Sequence, residues 1–121
     1  MITYNHMVVG LLDDDRADRV FHALADSTRR DIVVRTFERE HSVSALARLY
    51  PMSFAAVQKH VAVLEEAGLV TKERKGREQR VRGDVDTVRK ASQLLDALEA
   101  VWRGRADRMS EILAEPNGGA P

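Results

Sequence analysis

The sequence predicts a mainly α fold closed by a small β-hairpin, arranged as a winged helix-turn-helix and assembled as a dimer. Three observations carry that prediction. Two helical segments are separated only by the short break around "YPMS". A basic segment around "KGR" follows them directly and changes the period from helical to extended. A long final segment from Val88 to Leu113 keeps apolar residues three or four apart throughout. The length of 121 residues fits one domain, with no internal repeat and no linker. It divides into an extension at 1–12, a binding and dimerisation unit at 13–114 and a disordered tail, "EPNGGAP", at 115–121.

Asp13 to Leu24 reads as a helix, with Ala17, Val20, Phe21 and Leu24 at helical spacing and aspartates in the first turn, where the helix dipole favours them. Asp26 is placed to cap a second helix that carries Ile32, Val33 and Phe37 on one face and ends near Glu40. Ser44 is the expected cap of a short helix over Ala45 to Leu49. Tyr50-Pro51 ends it, because proline disfavours helical backbone in the residue before it. The next helix begins at Ser53, with Met52 and Val57 placed as a hydrophobic staple and Val57, Val61 and Leu64 as the buried stripe. Gly68 suits the left-handed position that ends a helix, and Leu69 can pack back on Leu64. "LVTKER" and "EQRVRG" then form the hairpin, with Gly76 in the turn. Asp84 or Asp86 caps the final helix, which reaches about Leu113 and spans roughly 42 Å at 1.5 Å per residue.

Formal net charge is zero, but its distribution is uneven. Leu69 to Arg82 holds six basic and two acidic residues, a local net of +4, while Asp13 to Asp26 holds five aspartates and two arginines, a local net of −3. Such a basic patch is the footprint that a polyanion requires, although a solvated hairpin has the same composition. There is no cysteine, which excludes disulfides, thiolate metal sites and cysteine redox switching. No apolar run has the length of a membrane span. The start "MITYNHMVVGLL" has no basic n-region, so no signal peptide is expected and the cytoplasm is the expected location. Met7 can open the chain as well as Met1. No phosphate loop, nucleophile elbow or metal triad is present, so neither an enzyme nor a cofactor is expected.

The helix from Ser53 carries Ser53, Phe54, Ala55 and Ala56, then Gln58, Lys59 and His60, opposite its apolar stripe. The second helix of a helix-turn-helix enters the DNA major groove with its N-terminal side chains at the base edges. Glutamine suits adenine, and small or aromatic residues suit the thymine methyl, whereas Lys59 suits a phosphate. The free amides from Ser53 to Ala56 can also face a backbone phosphate. His60 has two readings: contact with DNA, or a partly buried ring bonded to the preceding helix. In the hairpin, Arg74, Lys75 and Arg77 lie nearest the tip and are the expected DNA contacts. Arg29 and Arg30 stand where the helix dipole disfavours cations, and pairing with Asp26 and nearby acids is the favoured reading over phosphate contact. The long last helix has more apolar surface than a small domain can cover. Val20, Leu95, Leu98, Trp102 and Met109 are therefore expected at a homodimer interface. Gly104 inside that helix costs about 1 kcal/mol relative to alanine and allows either a bend or a close subunit approach. The rival reading is a winged helix whose basic hairpin binds an acidic protein partner.

"ALADSTRRDIV", "SVSALA" and "MSFAAVQKHVAVLEEAGLVTKERKGREQRVR", followed by a long last helix with Trp102, resemble the ArsR/SmtB family of winged-helix repressors over roughly Val20 to Leu113. The resemblance implies a homodimer on a palindromic operator of double-stranded DNA, often repressing its own transcription unit until a small-molecule or other effector releases it. Many members sense metals through cysteines in the first helix of the motif, or through an Asp-x-His pair with a later His and an acid in the last helix. "SVSALARLY" has no cysteine, and the last helix has no histidine. The histidines are His6, His22, His41 and His60, none three or four residues from another. The chain thus resembles the branch without the usual metal motifs, and no metal site is expected. "DST" also stands where Asp-Pro-Thr is commoner, which changes the first helical residue but not the cap.

Overall fold

Each helix starts on a side chain that closes its first turn. The computed structural model describes residues 12–114, so most of the expected extension and all of the expected tail lie outside the described residues. Helix α1 (Asp14–Leu24) is capped by Asp13, whose Oδ1 accepts from the Arg16 amide at 2.7 Å. Asp26 caps α2 (Ser27–Glu38) by accepting from the Arg29 amide at 3.0 Å. That bond, the largest cause, holds the Asp26 carboxyl below the usual carboxylate range.

A short strand β1 (His41–Ser42) precedes α3 (Val43–Ala47). Here the cap is Ser42, not Ser44: the Ser42 Oγ accepts from the Ala45 amide at 3.0 Å, and the helix begins and ends two residues earlier than expected. Ser53 caps α4 (Phe54–Glu66) as expected, accepting from the Ala56 amide at 3.1 Å. The other end of α4 is closed by two bonds, Leu69 N–H to Leu64 O at 2.9 Å and Gly68 N–H to Glu65 O at 3.0 Å, the pairing of a Schellman motif. Gly68 adopts φ +80°, a conformation that favours glycine, and a Cβ there would crowd Thr87 Oγ1 at 3.2 Å.

Strands β2 (Val70–Lys75) and β3 (Glu78–Gly83) pair antiparallel, from Val70 opposite Gly83 to Lys75 opposite Glu78. The two-residue turn puts Gly76 at φ +65°. Strand β1 adds to the far edge of β3, with His41 opposite Val81, so the expected hairpin is a three-stranded sheet in the order β1-β3-β2. Helix α5 (Val85–Ala114) completes the chain, and Asp84 rather than Asp86 supplies its cap, with Oδ1 accepting from the Asp86 amide at 3.0 Å.

Ile32, Leu46, Val57, Val61, Leu64, Leu69, Val70 and Val81 form the centre of the core, joined by Val20, Ala23, Ala91 and Leu94. The face of α2 is rotated from expectation. Thr36 is buried in α2, its hydroxyl donating to Ile32 O and Val33 O, while Phe37 stays half-exposed with its ring across Gly83. In α5, Leu94 enters the core and Leu95 faces outward. Leu46 of α3 is buried, whereas Leu49, expected in that helix, lies beyond its end and is exposed.

The break between α3 and α4 is anchored by Tyr50. Its hydroxyl donates to Asp31 Oδ2 at 2.6 Å, and Arg35 Nε donates to the same oxygen at 2.7 Å. The Tyr50 hydrogen bond, then that of Arg35, holds the Asp31 carboxyl below its ordinary value. Burial, with the donation to Asp31, pushes the Tyr50 phenol up to about 12. One carboxylate on α2 thereby fixes the angle at which the chain enters α4.

Candidate nucleic-acid interface

Helix α4 separates its residues cleanly. Val57, Val61 and Leu64 are buried, whereas Ser53, Phe54, Ala55, Gln58, Lys59 and Ala62 are exposed. Ala56 is intermediate. Ala62 escaped the sequence reading although it follows Gln58 by four residues, a spacing that places both on one helical flank.

The basic hairpin stands beside this flank. A cleft of about 190 Å³ between α4 and the sheet is lined by Phe54 and Gln58 on one side and by Lys72, Arg77 and Gln79 on the other. Gln58 and Arg77, distant in sequence, therefore share one concave surface. Arg74, Lys75 and Arg77 are all exposed. Lys75 is not free of internal partners: its Nζ lies 3.2 Å from Glu40 Oε1, and Arg80 Nε lies 3.1 Å from the same oxygen. The Lys75 hydrogen bond, followed by the charges of Lys75, Arg80 and Arg82, holds the Glu40 carboxyl below its usual range. Glu40 had no local signal in the sequence, since its partners lie 35 and more residues away. Lys72 has an internal partner as well, with Nζ 3.7 Å from Glu65 Oε1.

His60 turns away from this flank. Its Nδ1 is 3.3 Å from Arg29 Nη1 and 3.8 Å from Asp26 Oδ2, and the ring is mostly covered. The partner element is α2, not the preceding helix α3. Arg29 and Arg30 make internal contacts, though chiefly with carbonyls rather than acids. Arg29 Nε donates to Ala23 O at 2.7 Å and its Nη2 to His22 O at 3.1 Å, while Arg30 Nη1 donates to Leu24 O at 2.7 Å. Those carbonyls end α1, where the helix dipole is negative, so both cations sit where one helix attracts them and only nominally where the next repels them.

Of the residues expected at a dimer interface, Val20 is corrected: it is fully buried within its own chain and has no surface to offer a second copy. Its neighbour Phe21 is the exposed one. Leu95, Leu98, Trp102 and Met109 are 52, 47, 61 and 50% exposed and share α5 with exposed Val101, Ile112 and Leu113. Trp102, Ala106, Met109 and Leu113 line a shallow apolar groove. Among the described residues no group of three or more His, Asp or Glu side chains is placed to hold a metal ion, and no helix is long and apolar enough to cross a membrane.

Comparison with known proteins agrees with this geometry. A family model described as a helix-turn-helix domain matches residues 24–73. The chain is 43% identical over 68 residues to an uncharacterized HTH-type transcriptional regulator, YuzN, of Bacillus subtilis, covering 50% of this chain and 73% of that one. An ArsR-like transcriptional regulator from Rhodococcus shares the fold with a TM-score of 0.74 and 33% identity, over 81% of this chain and 92% of its own. The homodimeric winged helix-turn-helix DNA-binding domain of a possible ArsR-family regulator from Mycobacterium bovis superposes with a TM-score of 0.59 at 27% identity, over 70% of this chain and 80% of that one.

Proposed function

The chain belongs to the ArsR family of helix-turn-helix transcriptional regulators, and from that premise we propose that it is a sequence-specific repressor that binds a palindromic operator as a homodimer. The observation that carries this reading is the shared concave surface of α4 and the wing, where Phe54, Gln58 and Arg77 meet. Gln58 is assigned to an adenine edge, Phe54 and Ala55 to thymine methyls, and Lys59 to phosphate. Ser53 and Ala56 present the first turn of α4 to the backbone. Arg74 and Arg77 meet the flanking phosphates or minor groove, and Lys75 does so in competition with Glu40. His60 serves inside the protein, against Arg29.

Helix α5 is the dimerisation element. Its 30 residues extend about 45 Å at 1.5 Å per residue, far past the core, and its outer stripe of Leu95, Leu98, Trp102 and Met109 remains about half or more exposed in a single chain, Leu98 least at 47%. A two-fold axis through α5 sets two copies of α4 toward half-sites about one helical turn, 34–36 Å, apart. The homodimeric relative from Mycobacterium bovis supports this arrangement. Repression follows from occupancy of the operator, including that of its own transcription unit, with release by a small-molecule effector. The protein has no catalytic role in this reading and works in the cytoplasm, where the chromosome is.

Selection of bound duplexes from the source genome tests the proposal, combined with anisotropy titrations of the selected site. We expect an inverted repeat, with Gln58→Ala relaxing preference at one base pair per half-site by about 1–3 kcal/mol. Arg77→Ala is expected to weaken all duplexes alike and to lower the salt slope by about 0.9 per copy. A protein that stays monomeric and prefers no duplex refutes the proposal. Unchanged DNA behaviour in both variants points instead to a protein-contact module.

A further inference from the structure

We propose that Arg29 is a positioning residue for DNA reading: a strut that runs from the end of α1 to the inner side of α4 and fixes the roll of that helix. The inference rests on the assignment of α4 to the major groove and deepens it.

Arg29 is the only side chain among those described whose hydrogen bonds join α1, α2 and α4. Its Nε and Nη2 hold the carbonyls of Ala23 and His22 at 2.7 and 3.1 Å. Its Nη1 meets His60 Nδ1 at 3.3 Å. Its own amide is pinned by Asp26 at 3.0 Å. A guanidinium carries donors and no acceptor, so a hydrogen bond between the two has the ring accept at Nδ1 and carry its proton on Nε2, with the Asp26 carboxylate 3.8 Å from the same nitrogen. The link is thus directional. Val57, Val61 and Leu64 attach α4 by apolar contact, and its other polar ties lie at the far end, where Glu65 pairs with Lys72 at 3.7 Å and Gly68 O accepts from Thr87. The apolar contacts set how closely the helix packs and which face it buries, whereas a directional bond adds a fixed angle about its axis.

Roll matters here because of where the side chains stand. A side-chain tip about 5–6 Å from the helix axis moves about 1 Å for a rotation of about 10°. The useful range of an N–H···O bond is only about 0.5 Å wide. His60 follows Gln58 by two residues and Lys59 by one. Fixing its ring therefore fixes the direction in which its exposed neighbours project. The strut acts through these neighbours, without touching DNA.

Its signature is loss of discrimination rather than loss of attraction. The full chain is titrated with a duplex that the unmodified protein has selected from a random pool, and with a scrambled duplex of the same composition. His60→Leu and Arg29→Met are each expected to weaken the selected duplex about tenfold while changing the scrambled one less than about twofold, with the salt slope unaltered. The double variant is expected to be no weaker than the weaker single, since both remove the same link. His60→Asn, which keeps an acceptor oxygen near the place of Nδ1, is expected to return binding to within about threefold of the original. Thermal melting follows each variant, and if Arg29→Met fails to fold, the Leu and Asn variants of His60 decide alone.

Equal loss on both duplexes with a shallower salt slope overturns the proposal, because it marks a phosphate contact. Multiplying losses in the double variant also overturn it, as does selected-duplex binding by His60→Leu that matches the original. If the unmodified protein selects no duplex at all, the assignment of α4 fails and the strut's role in reading falls with it. That failure is distinct from one in which selection succeeds and the variants do not discriminate.

Discussion

Replacement of Glu40 by glutamine provides a direct test of how the wing meets a polyanion. Glu40 lies 3.2 Å from Lys75 Nζ and 3.1 Å from Arg80 Nε, so one carboxylate occupies two cations of the wing. The wing segment Leu69 to Arg82 carries a net of +4 by itself, and Glu40 reduces the local sum by one. A cation released to phosphate steepens the dependence of log affinity on log salt by about 0.9. One lysine per copy gives about 1.8 for a two-copy assembly, and a rise from about 50 to 200 mM salt then costs Glu40→Gln about twelvefold more affinity than it costs the unmodified protein. At the lower salt the variant binds tighter. For the proposed dimer, about eight neutralised phosphates would give a slope near −7 against which the change is read. Anisotropy of a labelled duplex over that salt range measures both quantities. Because the folded Glu40 carboxyl is lowered, its pairing contributes stability above the unfolded value that is lost as pH falls through the folded one. Melting curves at neutral pH therefore accompany the titrations, so that a folding change is not mistaken for a binding change. An unchanged or shallower slope in a folded variant refutes the reasoning, since it means that Lys75 is not available to phosphate.

Three further outcomes are expected. Gly83→Ala sets a Cβ 2.3 Å from Phe37 Cδ1 and 2.6 Å from Cε1, and calorimetry should show a fall in Tm. Overpacking of this kind costs about 1–3 kcal/mol, and each 1 kcal/mol lowers Tm by about 4–8 °C in a domain of about 60–100 residues; Phe37→Leu should reduce that loss. Tyr50→Phe removes a phenol whose pKa is raised to about 12, so the stabilisation tied to that shift is fully present below the unfolded value of about 10 and is lost as pH rises through about 12. Urea unfolding between those pH values should decline more steeply in the unmodified protein than in the variant. Leu98→Asp places a charge within the exposed α5 stripe, and sedimentation should find the proposed pair in the unmodified protein and a single chain in the variant, with operator affinity falling at least tenfold.

The parts legible in the sequence are those set by chemistry within a few residues. Asp13, Asp26 and Ser53 cap their helices because an oxygen meets an amide three positions away, and Gly68 ends α4 because its backbone must be left-handed. Where two residues suit the same local task, neighbourhood alone does not decide, and Ser42 rather than Ser44 caps α3. Strand β1 is only two residues long, and its identity comes from pairing with β3, nearly forty positions later. Leu94 and Leu95 both fit a helical stripe; the core takes one and the outer surface keeps the other. Val20 and Phe21 share the helical spacing of α1, and Val20 was expected at the interface, yet the core covers it and leaves Phe21 at the surface. Of the candidate site, the exposed flank of α4 was legible from its spacing. The engagement of Lys75 by Glu40 and of His60 by Arg29 was not, because each joins elements distant in the chain.

The Thr87 hydroxyl, in the first turn of α5, donates to Gly68 O at 2.6 Å, at the tail of α4. That bond ties the tail of α4 directly to the first turn of the α5 arm, across the intervening hairpin. Two chains clamped along their arms would behave as a caliper with a set opening, tolerant of what lies between the half-sites but not of how far apart they are. One base pair added at the centre of an operator would both lengthen the gap and turn one half-site about the duplex axis, and such a caliper would not follow both changes.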